Sequence, residues 1–473
     1  MHKRWRIPNE RAAIWIFLPF GLALILWPLR NERLSAGLAG GITFLLALAA
    51  WMLPIDTAMS VGSVSIKIAS SFAILGRQLV LTSADRLLLA LIYATTCFWF
   101  AASASIKITH KLIPFGLGIT ALLVASLAVE PFLYAALLIE MAVLLAVPLL
   151  SSADRSPARG LFRFLIFQTL AMPFILFSGW LLAGIEANPG DLTLVLQAAI
   201  LLGLGFTFLL AIVPFNTWIP LLTEESPPYP VGFILWMFPT TALLFGLGFL
   251  DRYTWLRTAP QLPNLLAFAG SLMLVTGGIL AAFQRHLGRL LGYAVITESG
   301  FSLLAMSLGG TTGLNLFFLL FVPRVLSLGI WAFSLSILKE QIPSLRFGKV
   351  KGLGRTWPFA AYGAILANLS LAGLPLLACF PIRQALWEGL ARQSPGVAVW
   401  VLIGSLGLVT GALRSLAVLS MAPEGTPWAM RESWPQRIFL ALGALALIVL
   451  GLFPQWAIPL LARLPSVFEH LGH

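Results

Sequence analysis

The chain has 473 residues, of which 59% are hydrophobic and only 10% are charged, and its formal net charge is +12. A soluble globular protein is roughly 45–50% apolar and about 25% charged, so this composition excludes a protein with most of its surface in water. The positive charge does not indicate nucleic-acid binding, because the basic residues lie in short loops between apolar runs.

Apolar runs long enough to cross a bilayer recur along the whole chain. A spanning helix needs about 20 mostly apolar residues. The first run follows a basic start, but no convincing cleavage site closes it, so we expect a retained helix rather than a signal peptide. The sequence therefore predicts an all-α integral membrane protein with about fourteen spans, near residues 13–29, 35–54, 87–106, 112–129, 131–150, 161–185, 192–213, 230–250, 264–283, 288–308, 312–337, 357–380, 396–420 and 437–458.

Two connections are longer than the others. Residues 55–86 alternate modestly between apolar and polar side chains and carry Lys67, Arg77 and Arg86. We expect this segment at a membrane interface, partly as strands. The second connection, residues 339–355, is a basic loop.

The distribution of Lys and Arg predicts the orientation. Loops rich in these residues stay on the cytoplasmic side. An even number of helices then places both termini outside, although Lys3, Arg4 and Arg6 near the amino terminus argue for the opposite orientation. The loops that we assign to the cytoplasm carry Lys107, Lys111, Arg155, Arg159, Arg285, Arg289, Lys339, Arg346, Lys349, Lys351, Arg355, Arg431 and Arg437.

Two proline pairs have the same spacing. Pro214 and Pro220 close one apolar run, and Pro375 and Pro381 interrupt another, and the members of each pair are six positions apart. Proline removes a backbone donor and breaks a helix. Transporters use broken helices in repeated halves to bind ions near the middle of the membrane. Two ordinary proline kinks remain the alternative.

Several charged residues fall inside apolar runs. A charged group at this depth costs several kcal/mol unless it is paired or hydrated. Glu140 and Glu298 can be proton relays or can form structural pairs, because burial raises the pKa of a carboxyl group toward neutrality. Arg324 and Arg383 do not release protons readily, so they are better suited to holding charge or tuning a carboxylate. Arg414 lies nearer a helix end and can extend to the surface.

No motif indicates a cofactor. Cys97 and Cys379 each lie in an apolar run, and no metal-ligand spacing occurs around the five histidines. A haem, iron–sulfur cluster or zinc site is therefore not expected. There is no GxGxxG or Walker motif for a nucleotide.

Three stretches resemble a known family. Residues 213–220 (VPFNTWIP), followed by EESP at 224–227 and PV at 230–231, resemble the VPFHTWLP…EAP…PV signature of the antiporter-like subunits of respiratory complex I. Residues 289–301 look like that family's KRLLAYSSISHMGF stretch, and 370–383 resemble its SLAGIPPLAGFFGK. Residues 318–333 look closest to the N-type subunit, and the whole resemblance covers roughly residues 110–420.

The resemblance implies a fold and a division of the chain. It implies fourteen helices, two inverted five-helix repeats, and broken seventh and twelfth helices. The count of apolar runs and the proline pairs agree with this fold independently. The expected parts are residues 1–111 (helices 1–3 with the interfacial segment), 112–250 (first repeat), 251–420 (second repeat) and 421–473 (helix 14).

The family's charged residues carry over only in part. Glu140 matches the family glutamate of the fifth helix, and Arg383 matches the lysine of the broken twelfth helix. The lysine of the seventh helix falls at Leu209, and that of the eighth falls at Thr240 or Thr241. The resemblance therefore puts the first half-channel in doubt.

Glu298 stands where the family often has histidine. Together with Arg324 and Arg383 it could form a conducting second half. Thr207, Asn216 and Thr217, with bound water, could bridge the gaps left by the missing lysines.

Three functions remain open at this point. The first is a proton-translocating subunit of a complex I-like NADH:quinone oxidoreductase, multi-pass in the cell's inner (plasma) membrane. Its partners would be other membrane subunits and lipid. The electron-transfer cofactors would lie in partner subunits of the complex rather than in this chain. The second is a non-pumping scaffold subunit of such a complex. The third is a subunit of a cation/proton antiporter or of a membrane-bound hydrogenase.

Overall fold

The computed structural model describes residues 14–53, 55, 58–61, 64–67, 71–74, 76–107, 110–151, 159–187, 191–421 and 427–471. Within this part of the chain, eleven helical segments are long and apolar enough to cross a membrane. Three shorter apolar helices accompany them, Ile14–Leu26, Leu112–Ala128 and Pro358–Ala372. The predicted all-helical, multi-pass membrane fold is confirmed, whereas the exact count of fourteen spans and the two inverted repeats stay predictions.

The elements are numbered in chain order. The helices are α1 Ile14–Leu26, α2 Glu32–Met52, α3 Arg86–Ser103, α4 Leu112–Ala128, α5 Ala135–Leu150, α6 Arg159–Ala187, α7 Leu192–Leu209, α8 Trp218–Glu225, α9 Pro228–Arg252, α10 Thr254–Arg257, α11 Leu262–Phe283, α12 Leu287–Ser307, α13 Gly310–Leu319, α14 Phe321–Gln341, α15 Phe347–Val350, α16 Pro358–Ala372, α17 Phe380–Gln393, α18 Pro395–Ser420, α19 Trp434–Leu452 and α20 Ile458–Leu461. The strands are β1 Ala58–Val61, β2 Val64–Lys67, β3 Ser71–Ile74, β4 Arg77–Val80 and β5 Val129–Glu130.

Contacts between Cα atoms divide the chain into two compact units. One comprises Met1–Ala101 and Thr109–Ala146, and the other comprises Ala102–Ile108 and Val147–His473. The four-part division expected from the family is based on repeats rather than on compactness, so it stays a prediction.

The smaller unit contains the strands expected in the segment before α3. Strands β1 and β2 form an antiparallel hairpin, and β3, β4 and β5 form an antiparallel sheet. Arg77 at the start of β4 hydrogen-bonds the hydroxyl of Tyr134 and lies over its ring, 3.7 Å from the centroid. The basic residue thus anchors the sheet to the turn that precedes α5. Lys3, Arg4, Arg6 and Arg155, which entered the orientation argument, lie outside the described residues.

In the larger unit, some helices are interior and others peripheral. Helices α9 and α12 are almost wholly buried, as is most of the α13–α14 segment. Helices α7 and α19 bury only a minor part of their length and expose large apolar side chains such as Leu196 and Leu445. An apolar exposed face is what a helix in contact with lipid tails requires, because the bilayer core offers no hydrogen bonds.

Helices α11 and α18 approach each other through glycine. A Cβ atom added to Gly278 would lie 2.2 Å from the backbone oxygen of Gly404, and one added to Gly407 would lie 2.2 Å from that of Gly278. Small residues allow backbones in a membrane to pack closely, where dispersion rather than water drives association. Helix α11 packs in the same way on α12, which carries a buried carboxylate: a Cβ atom added to Gly270 would lie 2.8 Å from the backbone oxygen of Gly300.

Both predicted helix breaks are present, with bounds that differ from the expected spans. Helix α7 ends at Leu209 rather than at residue 213, and the chain resumes as α8, which contains Pro220. Helix α16 ends at Ala372 rather than at 380, and α17 follows with Pro381 in its first turn. The apolar-run criterion missed α8 and α17, because these half-helices are too short or too polar to register as spans.

Candidate functional site

The buried carboxylate of Glu298 is the centre of the site. It lies near the middle of α12, and only 1% of its side chain is exposed. The neighbouring turns of α12 pack closely on α11: a Cβ atom on Gly277 would lie 2.7 Å from the Cγ2 atom of Thr297. The expectation that Glu298 lies deep in the helical scaffold is therefore met.

Arg383 is the direct partner of Glu298. It lies in the first turn of α17, immediately after the second break, and its Nη2 donates to Oε1 of Glu298. The guanidinium carbon lies 3.7 Å from the centroid of the Phe301 ring, which belongs to α12. The ring face attracts the cation and replaces part of its lost hydration.

Gly373 makes room for this arginine. It ends α16 with a φ of 77°, a conformation that glycine adopts without strain. A Cβ atom at this position would lie 2.8 Å from Cδ of Arg383. The break in the helix thus serves two purposes, because it turns the chain and admits the arginine side chain beside it.

Arg324 adds a second cation to the same site. It follows Pro323 in the first turn of α14 and is buried. Its Nη1 donates to the hydroxyl of Ser302 over 3.2 Å, and that hydroxyl in turn donates to the backbone oxygen of Glu298 over 3.1 Å. Arg324 also interacts electrostatically with Glu298 and Arg383. The site therefore holds two cations and one carboxylate.

Hydroxyl and thiol groups extend the site beyond the charges. Ser327, one turn after Arg324, donates to Ser370 on α16 over 2.9 Å, and the thiol of Cys379 hydrogen-bonds both side chains. Cys379 interacts electrostatically with Glu298 and Arg383. A continuous group of polar side chains thus joins α12, α14, α16 and the start of α17. We call these residues the buried polar cluster: Glu298, Ser302, Arg324, Ser327, Ser370, Cys379 and Arg383.

Several polar atoms of the buried polar cluster have no hydrogen-bonding side chain or backbone group among the described residues. They are Oε2 of Glu298, Nε and Nη2 of Arg324, and Nε and Nη1 of Arg383. A buried polar group without a partner is costly, and ordered water usually satisfies it. The arrangement therefore leaves buried donors and acceptors on Glu298, Arg324 and Arg383 that water molecules can bridge.

The first break has a different chemical character. Gln168 on α6 is buried and its Nε2 donates to the backbone oxygen of Leu209 over 3.2 Å, where α7 ends. Phe208 stacks with Phe167 at 6.0 Å between ring centroids and lies 4.6 Å from Phe215. The end of α7 is thus held by one neutral amide among aromatic rings.

The predicted polar-path residues surround this break without joining into a chain. The hydroxyl of Thr207 donates to Gly203 within α7 over 2.7 Å. Asn216 is buried, and Thr217 is exposed and accepts from Arg163 over 3.4 Å. Their role in ion transfer stays a prediction.

Glu140 belongs to the smaller unit. It lies on α5 and its side chain is half-buried. The position expected for the lysine of the family's eighth helix is Thr240 or Thr241, and both are buried in α9. Thr240 donates to the backbone oxygen of Trp236 over 2.7 Å, so its hydroxyl is satisfied within its own helix.

Sequence reasoning missed several polar members of these sites. Ser302 is four residues after Glu298, and Ser327 is three after Arg324, so each shares a helix face with its charged neighbour. That spacing was a usable signal, as was the single amide of Gln168 in an apolar run. Glu432 carried no such signal: it follows a loop, yet it is buried and accepts from the backbone nitrogen of Ala360 over 3.2 Å.

No metal site is evident in the part of the chain that the structure describes, since no three His, Cys, Asp or Glu side chains are grouped there. The absence of a cofactor stays a prediction from the sequence.

Comparison with known proteins gives one family. Residues 118–409 match the family described as "NADH:quinone oxidoreductase/Mrp antiporter, TM". The chain is 30% identical to NADH-quinone oxidoreductase subunit 14 of Thermus thermophilus over 334 residues, which is 67% of this chain and 73% of the relative. It is 24% identical to subunit N of the enzyme from Nitrosomonas europaea, over 62% of this chain and 64% of that protein.

Solved structures share the fold. A chain of respiratory complex I from Thermus thermophilus with bound NADH superposes with a TM-score of 0.77 and 21% identity, covering 98% of this chain and 100% of that one. A chain of the Mrp complex from Dietzia gives a TM-score of 0.75 with 15% identity, covering 98% and 99%. A chain of an archaeal membrane-bound sulfane sulfur reductase gives 0.78 with 17% identity, covering 98% of both chains.

Proposed function

The chain belongs to the NADH:quinone oxidoreductase/Mrp antiporter transmembrane family, and from this premise we propose that it is the N-type, proton-translocating membrane subunit of a complex I-like NADH:quinone oxidoreductase. Its partners are other membrane subunits of that complex, and the electron-transfer cofactors lie in further partner subunits. It lies in the inner (plasma) membrane with both termini outside. In this assignment the chain moves protons and performs no redox chemistry itself.

One observation carries the proposal. Glu298 is a titratable group buried in the centre of a helix, and Arg383, which pairs with it, lies on a separate half-helix after a break. An ion pair between two independently held elements can open, and opening would remove the cation that stabilises ionised Glu298. The Glu298 carboxylate would then be the group that accepts a proton. Closing would release that proton.

The surroundings support proton access to this pair. The unpartnered polar atoms of Glu298, Arg324 and Arg383 favour water between them. Water and hydroxyl groups transfer protons, whereas arginine holds its own. Arg324 and Arg383 therefore hold the positive charge beside Glu298, and Ser302, Ser327 and Ser370 contribute hydroxyls to the path.

We propose further that the first half-channel is degenerate. The family's lysine positions hold Leu209 and either Thr240 or Thr241, and the end of α7 is held by Gln168 among phenylalanine rings. Protons would then pass mainly through the second half, which contains Glu298, Arg324 and Arg383.

Two other functions share this fold. The loss of the lysines at Leu209 and Thr240/Thr241 favours a non-pumping scaffold subunit. The structural likeness to a chain of an Mrp complex favours an antiporter subunit. Flavin and iron–sulfur subunits that co-purify with the chain would support the complex I assignment, whereas small antiporter subunits or a nickel–iron hydrogenase would contradict it.

The decisive test replaces Glu298 with Gln in the assembled complex. Proton pumping and NADH:quinone turnover are measured together in sealed vesicles, which gives the number of protons moved per electron pair. Glu298→Gln should lower that number while quinone reduction persists. The matched control is Glu432→Gln, which neutralises another buried carboxylate that caps α16 outside the buried polar cluster.

Unchanged pumping per electron pair in Glu298→Gln, with the complex intact, would reject proton transfer through Glu298. Normal pumping after substitution of Glu140, Glu298 and Arg383 together would favour the scaffold function. An equal loss in the Glu432→Gln control would show that the effect is structural.

A further inference from the structure

A cavity of about 560 Å³ lies where α8, the start of α12 and α15 meet. It is in the larger unit and away from the buried polar cluster. A second cavity of about 310 Å³ shares part of its lining and adds Lys339 and Ser344. We call the two together the basic pocket. The larger cavity is lined by Glu224, Gln284, Arg285, His286, Arg289, Arg346, Phe347, Gly348 and Lys349.

The lining of the basic pocket is strongly cationic. Four arginine and lysine side chains of the larger cavity face a single carboxylate, that of Glu224, and Lys339 adds a fifth cation in the smaller one. Burial lowers the pKa of His286 to about 4, so this residue is neutral at pH 7. Glu224 is already engaged, by Nε of Arg289 at 2.5 Å and by Nη2 of Arg346 at 3.7 Å.

The backbone holds these side chains in place before any ligand binds. Arg346 forms an isolated antiparallel bridge with His286. The nitrogen of Phe347 donates to the oxygen of Arg285 over 2.9 Å, and the nitrogen of Leu287 donates to Leu345 over 3.0 Å. The two segments that supply the cations are therefore hydrogen-bonded to each other. Binding a ligand costs less conformational entropy here than it would in a free loop.

An apolar surface leads to the basic pocket. The last turns of α11 expose Ile279, Leu280 and Phe283, and Phe283 is 74% exposed. Gln284 and Arg285, which follow directly, line the pocket. A free phosphate would use only the cations, whereas a phospholipid would place its headgroup among the cations and its tails along the exposed face of α11.

We propose that the basic pocket binds the phosphate of an anionic phospholipid headgroup, with the acyl chains against the end of α11. Guanidinium groups bind phosphate oxygens bidentately, and lysine adds a point charge. Basic pockets between membrane helices on the cytoplasmic side bind such headgroups. The bound lipid would also neutralise the cations beside the Glu224–Arg289 pair, which joins α8 to α12.

The test measures lipid binding to the full-length chain in detergent by native mass spectrometry, with phosphatidylglycerol and phosphatidylcholine as probes. The wild type should bind phosphatidylglycerol roughly tenfold more tightly than phosphatidylcholine. Arg346→Gln with Lys349→Gln should abolish that preference. The control, Lys351→Gln with Arg392→Gln, removes two exposed cations outside the basic pocket and should keep it.

A second pair of variants leaves the native cations in place. A Cβ atom at Gly348 meets open space, so a side chain there does not disturb the fold. Gly348→Glu should weaken phosphatidylglycerol binding by repulsion, and Gly348→Gln, which has the same shape, should not.

Three outcomes would overturn the proposal. The first is a phosphatidylglycerol preference that survives Arg346→Gln with Lys349→Gln. The second is an equal loss in Gly348→Glu and Gly348→Gln. The third is stabilisation of the wild type by inorganic phosphate, lost in the double variant, without any lipid preference; this would assign the pocket to free phosphate instead.

Discussion

The Arg383 guanidinium donates to the Glu298 carboxylate across 85 residues of sequence, and both side chains are almost wholly buried. Glu298 lies within the continuous helix α12, whereas Arg383 lies just after the break between α16 and α17. The two charges are therefore held by two separate helical segments rather than by one helix.

Two substitutions at Arg383 test whether its positive charge is what matters, because Arg383→Gln removes the charge and Arg383→Lys keeps it. Arg383→Gln leaves the Glu298 carboxylate buried without its cation and should destabilise the protein by about 3–5 kcal/mol. Arg383→Lys restores the residue type that the family has here and should keep proton pumping. The midpoint of thermal unfolding and the protons moved per electron pair measure the two effects.

The double variant Glu298→Gln with Arg383→Gln provides the control for this ion pair. Since both charges are gone, it should unfold at a higher temperature than Arg383→Gln alone. A double variant whose loss equals the sum of the two single losses would show that the residues do not stabilise each other.

Glu140 is expected to contribute to proton pumping. Glu140→Gln removes the charge that matches the family glutamate of the fifth helix and should lower the number of protons moved while quinone reduction continues. The measurement is pumping per electron pair in sealed vesicles. An unchanged stoichiometry in Glu140→Gln would count against a role for this residue.

Gln168 should stabilise the first break. Gln168→Leu leaves the buried backbone oxygen of Leu209 without this donor and should cost about 1–3 kcal/mol of unfolding free energy, seen as a lower unfolding temperature. The control is Gln197→Leu, the same change at an exposed position of α7. Equal effects in the two variants would mean that the hydrogen bond contributes nothing specific.

His286 should make stability depend on pH. Burial lowers its pKa to about 4 from the usual 6.5, and its Nδ1 accepts from the nitrogen of Gly288 over 3.1 Å at the start of α12. Between these pH values the unfolded chain binds a proton at His286 and the folded chain does not. Neutral His286 therefore contributes fully to the free energy of unfolding above pH 6.5, and this contribution is lost as the pH falls toward 4.

His286→Asn keeps a helix-capping side chain and removes the titration. The unfolding temperature of this variant should fall less between pH 6.5 and 4 than that of the wild type. Parallel curves for the two proteins would assign the pH dependence to groups other than His286.

Gly373 should matter for its contact with Arg383 as well as for its backbone conformation. Gly373→Ala introduces a Cβ atom 2.8 Å from Cδ of Arg383 and should lower both stability and pumping. Gly309→Ala is the control, since Gly309 also has a positive φ of 68° but meets open space. Its ψ of 175° places it in a region that is nearly restricted to glycine, so the variant should cost about 1–3 kcal/mol of backbone strain without touching Arg383. Equal effects on pumping would show that the Arg383 contact is not what matters.

Much of the fold was predictable from local composition. Runs of apolar residues predict spanning helices because the bilayer core excludes unpaired backbone groups. The proline pairs at Pro214/Pro220 and Pro375/Pro381 marked both breaks, since proline cannot continue a helix. The strands before α3 followed from a local alternation of residues. The half-helices α8 and α17 were missed, because their short or polar sequences do not resemble a span.

The sequence alone identified Glu298, Arg324 and Arg383 as candidate site residues, because a charge inside an apolar run is costly unless it is paired or hydrated. Their mutual contact was decided only by the tertiary structure, since it depends on how α12, α14 and α17 pack rather than on any local pattern. The hydrogen bond from Gln168 to the backbone of Leu209 and the lining of the basic pocket likewise depend on how separate segments pack. The energetic cost of a charge in an apolar run follows from one segment of the sequence. A contact between two side chains depends on two segments that the fold brings together.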